Sequence, residues 1–120
     1  MPFSYDRVKD STTSAGTGDI TLSGSAPTSY QTFASRYAIN QTLTYAIISQ
    51  GGAEWETGEG YLSASTTLVR SSVADGSSGL NTPVNFSAGT KDVFVTPIGH
   101  FMMDVNSGAI DAKIRGLAMP

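Results

Sequence analysis

Three acidic residues and the single tryptophan lie together in the segment AEWETGEG, residues 53–60. On a β-strand, Glu54 and Glu56 would point to one face, about 7 Å apart. That separation is compatible with the carboxylate pair of an inverting glycosidase and with a calcium site. We expect instead two solvated glutamates with Trp55 facing the core, because a chain of 120 residues has little room for a sugar cleft.

The same segment offers carbohydrate binding as an alternative function. Trp55 and Tyr61 are aromatic, and Glu54 and Glu56 carry hydrogen-bond acceptors, so the four side chains could form a sugar platform. This hypothesis requires Trp55 to be exposed. A buried Trp55 would remove its main residue.

A glycine-containing loop with charge occurs in VNFSAGTKDVFVTP, residues 84–97. It fits neither the phosphate-loop pattern G-x-x-x-x-G-K-[ST] nor the dinucleotide pattern G-x-G-x-x-G. We therefore expect a strand, a glycine-centred turn and a second strand, with Lys91 and Asp92 as turn and edge residues.

His100 is the only histidine, and the chain has no cysteine. A Ser-His-Asp triad or a histidine metal site would depend on His100 alone, and disulfides and thiolate catalysis are excluded. We predict no catalytic residue, no metal site and no cofactor, and hence a protein that is not an enzyme.

Charge and hydropathy limit the partners. Seven Lys and Arg are scattered among ten Asp and Glu, for a net charge of −3, which argues against a nucleic-acid partner. The start lacks the pattern of a signal peptide, and no run of apolar residues is long enough to span a membrane. We expect a soluble protein made in a cytoplasm.

The composition favours strands and turns. Charged residues make up 14%, there are 13 glycines, and Ser plus Thr account for about a quarter of the chain. β-type runs recur at intervals of roughly 8 to 14 residues, which predicts an all-β fold, a compact antiparallel β-sandwich or barrel. The predicted strands are Tyr5–Lys9, Asp19–Leu22, Tyr30–Tyr37, Thr42–Ser49, Ala53–Leu62, Thr67–Ser72, Val84–Phe86 and Asp92–Thr96.

Two of these strands alternate clearly. TLTYAIIS places Leu43, Tyr45 and Ile47 on one apolar face, and DVFVT places Val93 and Val95 opposite Phe94. We expect both strands to be buried in the sheet.

The C-terminal segment changes character after residue 97. We divide the chain into a β-domain, 1–97, and a C-terminal arm, 98–120, which packs either on its own core or on a neighbouring subunit. The arm residues predicted to form an interface are Phe101, Met102, Met103, Ile110, Ile114 and Leu117.

Four motifs occur in the order found in a small domain of tailed-bacteriophage virion proteins. RVKDSTTSAGTGDITLSG at 7–24, AEWETGEGYLSASTTLVRSSV at 53–73 and VNFSAGTKDVFVT at 84–96 resemble that domain. In the family, a V-K start leads to G-T-G-x-x-T-L-x-G, then to W-E-x-G-x-G-x-[YL] and T-T-L-x-R, and finally to V-N-[FW]-S-A-G-T-K-x-V-F. The resemblance covers roughly residues 6 to 97, and the four motifs in sequence are fairly specific.

The resemblance implies fold-determining positions and supplies no catalytic residue. The matching positions are Val8, Lys9, Gly16, Gly18, Trp55, Gly58, Gly60, Leu68, Arg70 and Asn85 through Lys91. The segment from Phe33 to Tyr45 departs from the family, because it lacks a G-D-G-like turn.

Family members resemble this chain mostly as the virion-proximal domain of tail fibres or spikes, or as short standalone structural proteins. The resemblance therefore implies a virion structural protein, a tail-associated adaptor that assembles in several copies and attaches fibres or spikes. A capsid decoration protein or head-fibre base is the alternative. The implied partners are copies of the chain itself and other phage structural proteins of the tail, neck or capsid.

Overall fold

The computed structural model describes residues 5–97, in which six antiparallel strands form one sheet. The order of the strands across the sheet is β1-β6-β3-β4-β5-β2, and one short 3₁₀-helical turn spans Phe33–Ser35. The all-β antiparallel fold predicted from the sequence is confirmed. The strands are β1 (Lys9–Thr12), β2 (Ile20–Thr21), β3 (Leu43–Ser49), β4 (Trp55–Ala64), β5 (Thr67–Gly76) and β6 (Lys91–Val95).

The sheet curves until its first and last strands meet. Thr12 in β1 forms an antiparallel bridge with Leu22, just after β2, and the Ser23 N–H donates to the Ser11 carbonyl at 2.9 Å. Gln31 covers the edge of β1 next to Val8 through a parallel bridge. The result is a nearly closed barrel, which leaves little sheet edge open to unwanted pairing.

The core of the barrel follows the alternation of the strands. Leu43, Tyr45 and Ile47 are fully buried on the inner face of β3, and Val93 is fully buried on β6, as the sequence predicts. Val95 packs against the same core. The other buried apolar residues of the cluster are Val8, Ile20, Leu22, Phe33, Tyr37, Leu62, Leu68, Val84 and Phe86.

Three predicted strands are wrong in type or position. Tyr30–Tyr37 is not a strand but contains the 3₁₀ turn, in which the Tyr37 N–H donates to the Phe33 carbonyl at 2.8 Å. The pattern fails there because Phe33 and Tyr37 reach the core from one turn rather than by alternation. Val84–Phe86 is not a strand, and β1 begins where the predicted Tyr5–Lys9 strand ends.

The expected hairpin between Phe86 and β6 is also wrong. Phe86 exchanges backbone hydrogen bonds with Gly16, at 2.8 and 3.2 Å, and so pairs with the loop after β1. A bridge to a distant loop cannot be read from local turn chemistry, which is the signal that predicted the hairpin.

Glycines on the inner face of β4 allow the long β4–β5 hairpin to bend. A Cβ on Gly60 would lie 2.1 Å from the Val69 carbonyl oxygen, and one on Gly58 would lie 2.6 Å from that of Ser72. The register shifts beside both glycines, between Thr57 and Gly58 and between Glu59 and Gly60. These irregularities bend the hairpin, and closing a barrel requires such bends.

Candidate functional site

A carboxylate lies inside the barrel. Glu56 on β4 is fully buried, and its Oε1 accepts hydrogen bonds from Arg70 Nη1 and from the Val84 N–H, both at 2.8 Å. Its Oε2 accepts a hydrogen bond from the Tyr45 hydroxyl at 2.6 Å. The Arg70 side chain is itself only 2% exposed, so the two charges form a buried ion pair.

Arg70 uses its remaining donors to hold two loops. Nη2 donates to the Gly16 carbonyl at 3.0 Å, Nε donates to the Gly18 carbonyl at 3.1 Å, and Nη1 also donates to the Val84 carbonyl at 3.1 Å. Only the planar fork of a guanidinium reaches acceptors in so many directions. The Arg70–Glu56 pair therefore fastens the loop around residues 16–18 and the segment at Val84 to the hairpin.

Tyr45 completes this interior network as a hydrogen-bond donor. Burial and then the hydrogen bond to the Glu56 carboxylate raise the pKa of Tyr45 above its ordinary value of 10.0. Both effects favour the neutral phenol, because ionisation would place a second negative charge beside Glu56. The network is suited to holding the fold together, and it leaves neither oxygen of Glu56 unoccupied.

The expected arrangement of Trp55 and Glu56 is reversed. Glu56 faces the core, whereas Trp55 is 38% exposed on the outer face beside Ile48, its cross-strand neighbour, which is 43% exposed. Glu56 alternates with Gly58, Gly60 and Leu62, so the register that buries Leu62 also buries Glu56. The burial of the Glu56 carboxylate is stabilised by the ion pair with Arg70, which lies on β5.

Glu54 is separated from the ion pair and bonds to a loop. Its Oε1 accepts from the Ser87 N–H and its Oε2 from the Ser87 hydroxyl, each at 2.9 Å. The backbone and then the side chain of Ser87 lower the pKa of Glu54 below its ordinary value. A glycosidase acid needs a raised pKa. Because Glu54 bonds to Ser87 while Glu56 is buried against Arg70, the arrangement of the two carboxylates does not support hydrolysis by this pair.

A cleft of about 350 Å³ lies beside Glu54. It is formed by residues 49–54 and 87–91, and Trp55 does not line it. The four residues of the predicted sugar platform therefore do not converge there: Trp55 and Tyr61 lie on the outer face of β4, Glu54 lies by the cleft, and Glu56 lies inside the barrel.

Lys91 is not a turn residue, and β6 is not an edge strand. The side chain is 1% exposed, and Nζ donates to the carbonyls of Ser14 and Gly89 at 2.8 Å and of Ser87 at 2.5 Å. β6 lies between β1 and β3. Lys91 thus joins the loop after β1 to the loop before β6. That second loop belongs to the segment VNFSAGTKDVFVTP, residues 84–97.

Asp10 is a further buried charge that the sequence analysis does not predict. It is 1% exposed, and its carboxylate accepts from the Ser11 N–H at 2.6 Å, from the Gly24 N–H at 3.0 Å and from the Ser23 hydroxyl. The sequence signal for this burial is the alternation of side chains between the two faces of a strand. Asp10 shares a face with Val8, and Lys91 shares a face with Val93, so each charge could have been placed inside the barrel.

The residues predicted on the C-terminal arm lie outside the described part of the chain. These are His100 and the interface set Phe101, Met102, Met103, Ile110, Ile114 and Leu117, and their roles stay predictions. Within residues 5–97, no group of three or more His, Asp or Glu side chains is placed to hold a metal ion. No helix in that range is long and apolar enough to cross a membrane.

Comparisons with protein-family models, with curated proteins and with solved structures gave no match to this chain. Function must therefore be inferred from the contacts and surfaces of the barrel, together with the resemblance in sequence. The surface feature that stands out is the exposed pair Ile48 and Trp55, because these apolar side chains lie side by side on two paired strands rather than on loops.

Proposed function

We propose that this chain is a structural protein of a tailed-bacteriophage virion, a small tail-associated adaptor that assembles in several copies and attaches fibres or spikes to the particle. The four ordered motifs support this proposal. The residues that carry the resemblance include Gly60 at a close strand contact, Arg70 at the centre of the ion pair and Lys91 between two loops. They are residues that a shared fold would need.

The exposure of Trp55 is the observation that carries the proposal. Trp55 belongs to the W-E-x-G-x-G motif, yet it contributes to the outer face, next to Ile48, rather than to the core. Its backbone carbonyl accepts from the Ser77 N–H at 2.9 Å, which fixes the start of β4. A large aromatic side chain exposed on the surface of a sheet is typical of residues that anchor protein contacts.

Labelling of purified particles tests the proposal directly. Antibody raised against the chain should label phage particles whose genome encodes it, at the tail. Label confined to the head would favour capsid decoration or a head-fibre base, the alternative that the motifs leave open. Particles without the chain, from cells whose lysate contains it, would contradict a virion role.

Carbohydrate binding is the second candidate, because the exposure of Trp55 meets its first requirement. Tyr61 lies on the same face of β4 but six residues further on, about 20 Å along the strand, and Glu56 is buried. A platform would therefore depend on Trp55 itself. As the only tryptophan, it reports binding through its fluorescence. Quenching by a host-surface oligosaccharide would favour this candidate, and an unchanged spectrum across a panel would oppose it.

A further inference from the structure

Two of the surface cations in residues 5–97 lie together beside the Tyr30 ring. Arg70 and Lys91 are used in the interior, which leaves Arg7, Lys9 and Arg36 as the basic side chains at the surface of residues 5–97. Arg7 places its guanidinium carbon 4.0 Å from the centre of the Tyr30 ring, and Lys9 Nζ lies 5.2 Å from it. In a chain of net charge −3, this is a local reversal of sign.

The two cations line a cleft of about 270 Å³. Its other walls are aromatic or aliphatic, so it offers an apolar interior with positive charge at its border. Such a cleft is suited to an aromatic side chain, whose negative face attracts cations. The lining residues are Arg7, Val8, Lys9, Tyr30, Phe94 and Val95. We call it the β1 cleft.

The exposed aromatic side chain, Trp55, lies on a different part of the sheet from the β1 cleft. Around the nearly closed sheet, two strands separate β1 from β4 in either direction. These are β6 and β3 on one side, and β2 and β5 on the other. Trp55 does not line the β1 cleft, and the cleft residues Phe94 and Val95 lie on β6, which pairs with the strand β3 that carries Ile48. We call Trp55 and its neighbour Ile48 the β4 knob.

Charge around the β4 knob is opposite to that around the β1 cleft. Trp55, Thr57 and Glu59 lie on the outer face of β4. Asp75 of β5 pairs with Thr57, so Asp75 lies on the same face. No basic side chain of residues 5–97 lies on the outer face of β4 or β5. The two surfaces are thus complementary in charge.

We infer that the β4 knob of one copy docks in the β1 cleft of the next, with Trp55 between Arg7 and Lys9. This inference rests on the proposed function, in which the chain assembles in several copies, and it names the contact surfaces. Because the two surfaces are different, the contact is head-to-tail. Repetition of such a contact makes a ring if the rotation closes and a filament if it does not.

Sedimentation of the purified full chain over a range of concentrations tests the contact. The natural chain should form species larger than a dimer, and salt should weaken them because charges border the contact. Trp55→Ala should weaken self-association about tenfold or more, and Arg7→Glu with Lys9→Glu should do the same. Leu80→Ala, an exposed apolar residue elsewhere, is the matched control and should associate normally.

Mixing the two defective variants distinguishes a head-to-tail contact from a symmetric one. The Trp55→Ala variant keeps its β1 cleft, and the Arg7→Glu, Lys9→Glu variant keeps its β4 knob. Together they should form a one-to-one dimer that does not grow, although each remains monomeric by itself. Circular dichroism melting of each variant confirms that it is folded.

Three results would overturn the inference: a natural chain that is monomeric throughout, a Trp55→Ala variant that associates normally, or a mixture that stays monomeric. None of them depends on where the chain resides. A chain that is found in particles but lacks this contact would leave the virion role standing and remove the contact. A chain that associates head-to-tail but is absent from particles would do the reverse.

Discussion

The two faces of β4 reverse the usual distribution of side chains. The inner face begins with a buried carboxylate, Glu56, while the outer face begins with a partly exposed indole, Trp55. The inner charge is satisfied three times, by Arg70, Tyr45 and the Val84 backbone. The outer face has Ile48 beside Trp55.

This difference gives the two faces of the sheet different roles: the inner face holds the fold together, and the outer face is available for contacts. A small barrel has few interior positions, and here some of them hold polar groups that fasten loops, through Arg70, Lys91 and Asp10. Buried charges of this type stabilise a fold only as complete sets, because a lone member is left unpaired in a medium of low polarity. The outer face can lose a side chain without such a penalty, and it is therefore the face available for contacts.

Removal of the inner carboxylate should have the largest effect. Glu56→Ala leaves Arg70 buried without its counter-charge and should lower the free energy of unfolding by about 3–5 kcal/mol. Urea denaturation followed by circular dichroism measures this. Glu59→Ala is the matched control, since it makes the same change on the outer face of the strand, and should cost about 0.5 kcal/mol or less. Equal effects of the two substitutions would contradict the comparison between the faces.

Removal of the buried ammonium should have the next largest effect. Lys91→Met leaves the carbonyls of Ser14, Ser87 and Gly89 without their shared donor, and should cost about 1–3 kcal/mol. Lys9→Met, on the outer face of β1, should cost about 0.5 kcal/mol or less. Thermal melting compares the pair. If Lys91→Met were as stable as the natural chain, the ammonium would have no role in joining the two loops.

Alkaline pH should weaken the interior network. The pKa of Tyr45 is raised in the folded state, so between the unfolded value near 10 and the folded value the folded chain binds more protons. The contribution of Tyr45 to stability is therefore complete below about pH 10 and falls as the pH rises further, by at most about 1.4 kcal/mol per pH unit. Urea midpoints at a series of alkaline pH values measure the decline.

Substitution of Tyr45 supplies the control for that decline. Tyr45→Phe should be less stable at neutral pH, because Glu56 loses a donor, but its stability should fall less steeply above pH 10. Burial also raises the pKa of Tyr37, so Tyr37→Phe should keep most of the decline while removing a smaller part. An unchanged slope in Tyr45→Phe would show that another group is responsible.

The smallest effect on stability should come from the outer face. Trp55→Ala should cost about 1 kcal/mol or less, because the side chain is partly exposed and no buried polar group is left unpaired. The same substitution should nevertheless weaken self-association, as described for the head-to-tail contact. Circular dichroism melting measures the stability. A loss comparable to that of Glu56→Ala would place Trp55 among the residues that hold the fold.

Local pattern predicted much of the sheet. Leu43, Tyr45 and Ile47 alternate strictly, and the structure buries all three, because the two-residue period of a strand assigns side chains to faces whatever the partner strand is. The same period places Glu56 on one face with Leu62 and Lys91 on one face with Val93. A charge without a partner favours the solvated face instead, so the period alone does not decide which face is buried.

The errors have a common physical origin in contacts between distant segments. Phe86 pairs with Gly16, and Lys91 bonds to Ser14, both across more than half of the chain. Neither contact leaves a trace in the local sequence around Phe86 or Lys91. The predicted roles of the C-terminal arm, 98–120, lie outside the described residues.

The sequence by itself determined the fold class of this protein, since alternation, turn residues and low charge are local properties that act on each strand separately. Only the tertiary structure decided which face of β4 is inside. The position of Arg70, reached through the bent β4–β5 hairpin, allows Glu56 to be buried and thereby turns Trp55 outward. A buried charge depends on its partner, and the partner is brought near only when the barrel closes.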